Sequence, residues 1–260
     1  MKIIRNENGK ISEFNGASMN LAEMNWQQAQ AAFAKTNLAI IPTGAVEVYG
    51  PHLPLGSDGI VAQDLARKLA ERVGAIVAPF VPVSDSRSLL SFPGTLTVSP
   101  STFRAYLKDL SASLIRWGIK RILFISGHAT SVAIVTDLGL ELAESGIRVA
   151  QVDYWRVIAT MAPEILDSGA LANRHAGEIG TSVLLAVRPD LVDMSKAARV
   201  IPRPTLASNH PEVALNDIPF SQYTDLGMTG DATTATKEKG EIMIARLLDK
   251  LEKFVTEWQV

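Results

Sequence analysis

Three of the four histidines, His52, His128 and His175, stand in polar stretches that follow apolar runs, in company with Glu47, Asp58 and Glu178. Imidazole and carboxylate together are the ligand set for Zn²⁺, Mn²⁺ or Fe²⁺. The chain has no cysteine, which removes thiolate ligands, disulfides and a cysteine nucleophile together. A carboxylate-rich site suits manganese or iron as well as zinc, so residue type leaves the metal open. Such an ion lowers the pKa of a bound water towards roughly 7 and polarises a substrate carbonyl. The chemistry expected from these residues is metal-assisted hydrolysis.

Position strengthens the expectation. In an open α/β sheet, ligands bind beyond the carboxyl ends of the strands. Leu38 to Pro42 reads as a buried strand, and Gly44 to Asp58 follows it, with Gly44, Gly50, Gly56, Pro51 and Pro54 letting the loop bring Glu47 and Asp58 to one point. Arg121 to Ser126 is the clearest strand, and Gly127 and His128 follow it. A strand from Ile147 to Val152 leads to Asp153, Tyr154 and Trp155, and Asn173 to Glu178 leads into a helix.

The remaining elements must place these loops. Ile60, Leu65, Leu69 and Val73 fall near one helical face, and Gly74 closes that helix. Ala75 to Val83 is strand-like, but Pro79 and Pro82 assign it an irregular or edge position. Ser99 and Pro100 open a helix running to about Trp117. Further helices are expected near 130–144, 156–162, 175–187 and 237–256. Strands alternating with helices of this length imply a single α/β domain over 1–260, its mostly parallel sheet covered by helices on both faces. Pro189 to Gly230 is less periodic and carries Pro202, Pro204, Pro211 and Pro219, and is expected to run beside the active site or at a subunit contact.

Formal net charge is −2, with no like-charged cluster, so neither a nucleic-acid stripe nor a polybasic membrane anchor is expected. Met1 to Lys10 lacks an apolar core, and no apolar run reaches membrane-spanning length. These features set the expectation of a cytoplasmic enzyme acting on a small molecule. Nucleotide loops, the H-E-x-x-H zinc helix and the G-x-S-x-G elbow are all absent from the sequence.

At the same residues the chain resembles the creatininase family. Ile41-Pro-Thr-Gly-Ala-Val-Glu-Val-Tyr-Gly-Pro-His-Leu-Pro-Leu-Gly-Ser-Asp58 is similar to that family's P-x-G-S-x-E-Q-H-G-P-H-L-P-L-G-x-D segment. Phe92-Pro-Gly-Thr-Leu96, Ser126-Gly-His128, His175-Ala-Gly-Glu178 with Thr181-Ser182, and Gly230 to Gly240 resemble later family segments, in the same order. The resemblance implies a doubly covered α/β sheet, homo-oligomers that are often hexamers, and hydrolysis of C–N bonds in amides. It implies a first metal on Glu47, Asp58 and His128. It also implies that His175 acts as general acid or base, a role its unperturbed pKa near 6.5 suits.

The departures bear on the second metal of the family. Tyr49 stands where its histidine ligand is found, Thr130 where creatininase itself has a glutamate, and Gly180 where the E-T-S glutamate falls. Ser126 and Leu89 replace a family asparagine and a frequent histidine. Phenol is a poor zinc ligand near neutral pH, with a free pKa of about 10. One ion per chain is therefore expected in preference to two. Glu178 is expected as a fourth ligand or general base, against a reading as a first-turn carboxylate favoured by the helix dipole. Tyr49 is expected either to hydrogen-bond substrate or to pack beside it. His52 is expected to orient a ligand carboxylate, and Ser86 and Trp155 to line the pocket. Cleavage of a small, cyclic amide is the main expectation. Ring opening of a cyclic polyol ketone is the alternative, and a non-catalytic scaffold the third reading.

Overall fold

A computed structural model describes residues 3–5, 11–13, 19–210, 212 and 218–258. Its centre is a four-stranded parallel sheet of β3 (Leu38–Thr43), β4 (Ile76–Val77), β5 (Arg121–Ser126) and β6 (Arg148–Asp153), in the order β4-β3-β5-β6. Before it lie an antiparallel pair, β1 (Ile3–Arg5) and β2 (Ile11–Glu13), and helix α1 (Trp26–Phe33).

Strand alternation sorts the core into two layers. Leu38, Ile40, Leu123 and Ile125 face α2 (Ser57–Val73), α5 (Tyr154–Met161), α6 (Glu178–Val187) and α8 (Lys237–Glu257). Ala39, Ile41, Ile122 and Phe124 face α1, α3 (Pro100–Arg116) and α4 (Ser131–Glu144). With both faces covered, every residue of β3 is buried, which is why it reads as an unbroken apolar run. Register pairs Thr43 with Ser126 and Ser126 with Asp153, so the three strands end level and release their loops on one edge.

Local signals act as expected at several ends. Ser99 caps α3 by accepting from the Thr102 amide, with Pro100 next to it. Gly74 closes α2 at φ 70°. The segment expected as a strand from Ala75 to Val83 is shorter: only Ile76–Val77 pairs as a strand, and Val81 makes an isolated bridge to Thr43. Prolines 79 and 82 have no N–H for a ladder. The helix expected at 175–187 begins at Glu178, because Ala176 takes φ 57°, outside the helical region. His175 and Glu178 therefore do not share a helical face. The stretch after α6 is mostly short turns, with β7 (Arg199–Val200) pairing antiparallel to β8 (Gly230–Asp231) and a one-turn α7 (Leu206–Asn209) between them. No described helix is long and apolar enough to cross a membrane.

Candidate metal centre

Glu47, Asp58 and His128 meet at the level end of the strands. One ligand atom from each lies within 4.8 Å of the others, and all three residues are buried. Asp58 sits in the first turn of α2, where the helix dipole favours a negative charge. Glu47 is held by its own amide, which donates to the Leu55 carbonyl at 2.9 Å, and by the neighbouring bridge between Val46 and Leu96. His128 follows β5 after Gly127, where a Cβ would stand 2.2 Å from the Tyr154 hydroxyl. Only glycine permits that approach.

The histidine is oriented by a backbone group. His128 Nε2 lies 2.8 Å from the Asp85 carbonyl, which can only accept, so Nε2 carries the proton and Nδ1 is left for the site. The Thr130 hydroxyl donates to the same carbonyl at 2.7 Å. Nδ1 lies 3.1 Å from Glu47 Oε2 and 3.6 Å from Asp58 Oδ2. Donors bound to one tetrahedral ion at roughly 2.0–2.2 Å stand about 3.4 Å apart, a value these two separations bracket.

The carboxylates are held from behind. The Ser86 hydroxyl donates to Glu47 Oε2 at 2.6 Å. Trp155 Nε1 donates to Asp58 Oδ1 at 2.9 Å, and the Tyr154 hydroxyl to the Asp58 carbonyl at 2.6 Å. Asp58 Oδ2 remains buried with no hydrogen-bond partner. An unpartnered buried carboxylate oxygen is costly unless something cationic completes it.

Charge gives the same result. Burial and the Glu47 carboxylate raise the Asp58 pKa, although His128 and Trp155 pull against them. His128 is raised well above the ordinary imidazole range: burial opposes its charge, but Asp58 and Glu47 outweigh burial. The two buried carboxylates face a single imidazole, which brings one positive charge at most. The donor set fits a divalent cation.

Around the triad lies a wall of rings. Tyr49 is buried, and its ring centroid is 4.5 Å from that of His175 and 6.3 Å from that of Trp155. Burial, then the Asp58 and Glu47 charges, raise the Tyr49 pKa well above its usual value, so the phenol stays neutral. Gly180 makes room for it: a Cβ there would sit 3.3 Å from Tyr49 Cε1 and 3.4 Å from its hydroxyl. Phe220, from the irregular stretch before β8, packs edge-on against His175 at 5.0 Å. Sequence reasoning missed Phe220, because no periodicity in that stretch marks a ring brought in from so far along the chain. His175 Nε2 donates to the Val48 carbonyl at 2.7 Å, which leaves Nδ1 as an acceptor. A charge on His175 acts on Glu47.

Two expected residues stand elsewhere. His52 Nε2 meets the Thr181 hydroxyl at 2.9 Å, so its partner is a hydroxyl and not a ligand carboxylate. Burial depresses its pKa to about 4, with Asp193 opposing. Glu178 is not among the triad. Its fully buried carboxylate takes the Asp167 and Ser168 amides, the Ser168 hydroxyl at 2.5 Å and the Lys239 ammonium at 2.5 Å. Burial opposes its ionisation, but Lys239, Ser168 and the two amides outweigh it and hold the carboxyl below the usual range. With both oxygens engaged, it offers no free lone pair directed at a metal or a water.

The family profile described as Creatininase, creatinine amidohydrolase, matches residues 22–255. The chain belongs to the creatininase family. It is a metal-dependent hydrolase of the amide-cleaving type. Creatinine amidohydrolase of Pseudomonas putida is 28% identical over 87% of this chain and 92% of that protein. A mycofactocin precursor peptide peptidase of Mycolicibacterium smegmatis is 30% identical over 85% of each chain. A 3-dehydro-scyllo-inosose hydrolase of Thermotoga maritima is 25% identical over 90% of this chain and 81% of its own. The solved structure named Creatininase Mn superposes with a TM-score of 0.79 at 26% identity, covering 93% of this chain and 98% of that one. The parallel sheet with helices on both faces is thus the creatininase fold.

Proposed function

We propose that Glu47, Asp58 and His128 hold one divalent cation per chain, zinc, manganese or iron, and that the site cleaves the C–N bond of a small, cyclic amide. The observation that carries this reading is the pairing of a Nδ1 freed by the Asp85 carbonyl with the unpartnered Asp58 Oδ2. When bound, the ion supplies Lewis-acid activation of water. His175, its Nε2 committed to Val48, accepts a proton at Nδ1 and returns it to the leaving nitrogen. The neutral Tyr49 hydroxyl donates to the substrate carbonyl oxygen, and Trp155 and Ser86 act on substrate only through the carboxylates they hold. A single ion is favoured because the Tyr49 phenol, which stays protonated beside two carboxylates, is no ligand.

Hydrolytic ring opening of a cyclic polyol ketone is the second reading, supported by the inosose hydrolase relative. Protein loaded with manganese or zinc is to be incubated with creatinine, short peptide amides and 3-dehydro-scyllo-inosose. Conversion of creatinine to creatine, or release of an amine from the peptide amides, supports the amidase reading; carboxylate formation from 3-dehydro-scyllo-inosose alone overturns it in favour of ring opening. We further propose a single domain over residues 1–260, a cytoplasmic location and a homo-oligomer up to a hexamer. Exposed Leu90, Leu96, Ile201 and Leu206 are consistent with such an assembly, and light scattering measures its size.

A further inference from the structure

Lys239 occupies the first turn of α8, where the helix dipole disfavours a cation. It lies there among acceptors: Glu178 Oε1 at 2.5 Å, Asp167 Oδ2 at 2.6 Å and the Thr234 carbonyl at 2.8 Å. Glu178 opens α6, yet its carboxylate reaches back to the amides of Asp167 and Ser168. Those bonds close a loop from 167 to 178, and His175 stands near its end. Within the loop the Gly177 amide bonds the Arg174 carbonyl, and from outside it the Ile179 amide bonds the Ala172 carbonyl and the Thr229 amide the His175 carbonyl. Ala176, at φ 57°, is the one described non-glycine residue at positive φ, and it joins His175 to the helix. A backbone held in that region persists only when its surroundings fix it.

We propose that Lys239 is a positioning residue of the hydrolytic site, acting through Glu178 to hold the 167–177 loop and so the His175 ring against the Val48 carbonyl. The catalytic importance of this placement rests on the role given to His175 above; the placement itself does not. A lysine outside the triad, on α8, thereby sets where the proton-transferring imidazole sits. Its loss loosens His175 and leaves Glu47, Asp58 and His128 as they are, since those arise from other elements.

The four histidines provide the test. The full-length, zinc-loaded protein and its Lys239→Met variant are to be labelled briefly with diethyl pyrocarbonate, and each histidine followed by peptide mass spectrometry. His210, on the surface, is the internal standard, and buried His52 reports general loosening. The expected result is a rise of roughly fivefold or more in His175 labelling relative to His210, with His52 labelling and zinc content unchanged and Lys239→Arg returning towards wild type. Labelling of His175 within twofold of wild type overturns the proposal, and so does a parallel rise at His52. Should Lys239→Met fail to fold, Ser168→Ala removes one of the Glu178 contacts and is judged by the same two ratios. A separate result, full turnover by His175→Ala, would remove the catalytic role of His175 and leave these ratios standing.

Discussion

Two buried glutamates, Glu47 and Glu178, lie in the same protein under opposite electrostatic conditions. Glu178 receives two amides, a hydroxyl and an ammonium, and its negative charge is matched inside the chain. Glu47 shares one imidazole with Asp58, and the Asp58 Oδ2 beside it has no hydrogen-bond partner. Burial is costly for both. In the first case the polypeptide offsets that cost, so the carboxylate serves structure. In the second it leaves a deficit of positive charge shaped by three donors, and that deficit is what a cation fills. The difference between a structural and a functional carboxylate thus lies in which partners are missing.

Substitutions can break this contrast. His128→Ala or Asp58→Asn should reduce metal affinity by about a thousandfold or more and abolish hydrolysis, since each removes one of three ligands; metal content after gel filtration and turnover measure both. Glu178→Ala should do the reverse. It should retain the ion but lose up to about 3–5 kcal/mol of stability, because two amides, a hydroxyl and the Lys239 ammonium lose a buried acceptor, although Lys239 keeps Asp167 and the Thr234 carbonyl. Denaturant unfolding of the metal-loaded protein measures that loss, and a variant that unfolds at wild-type denaturant while shedding its metal would reverse the two assignments.

How far the sequence disclosed this contrast depended on what kind of signal each residue carries. Glu47 and His128 lie beyond the ends of β3 and β5, whose apolar runs placed their loops on one edge of the sheet, while the choice of Glu47, Asp58 and His128 as one ligand set came from the family resemblance. Both helical layers were legible for the same reason, because periodicity marks α2, α3, α4 and α8. Glu178 was read as a ligand or base, against a first-turn carboxylate, from its place with His175 in the polar stretch that leads into a helix. Neither the positive φ of Ala176 nor the distant Lys239 shows in that stretch. His52 was assigned to a carboxylate, yet its partner Thr181 lies 129 positions away. Such partners are fixed by tertiary packing, and a linear pattern does not encode them.

Smaller effects sharpen the comparison. Trp155→Phe removes the bond to Asp58 Oδ1 and should weaken metal binding roughly 10–100-fold with little change in the apo protein's melting temperature. Titration calorimetry with manganese reads the first, and a thermal scan the second. His52 supplies a pH effect independent of the metal. Its folded pKa of about 4 lies below the unfolded value near 6.5, so the unfolded chain binds the extra proton first as pH falls. Its contribution is full above pH 6.5 and declines towards pH 4, by on the order of 2 kcal/mol at pH 5. His52→Gln should flatten that part of the stability profile; an unchanged slope would show that His52 titrates normally.

The most direct measurement is metal stoichiometry by elemental mass spectrometry, on wild type and on His128→Ala, after exhaustive dialysis against metal-free buffer. One ion per chain in wild type and none in the variant is the predicted result. Two tightly held ions in wild type, or an ion retained without the His128 imidazole, would contradict a single centre built on Glu47, Asp58 and His128.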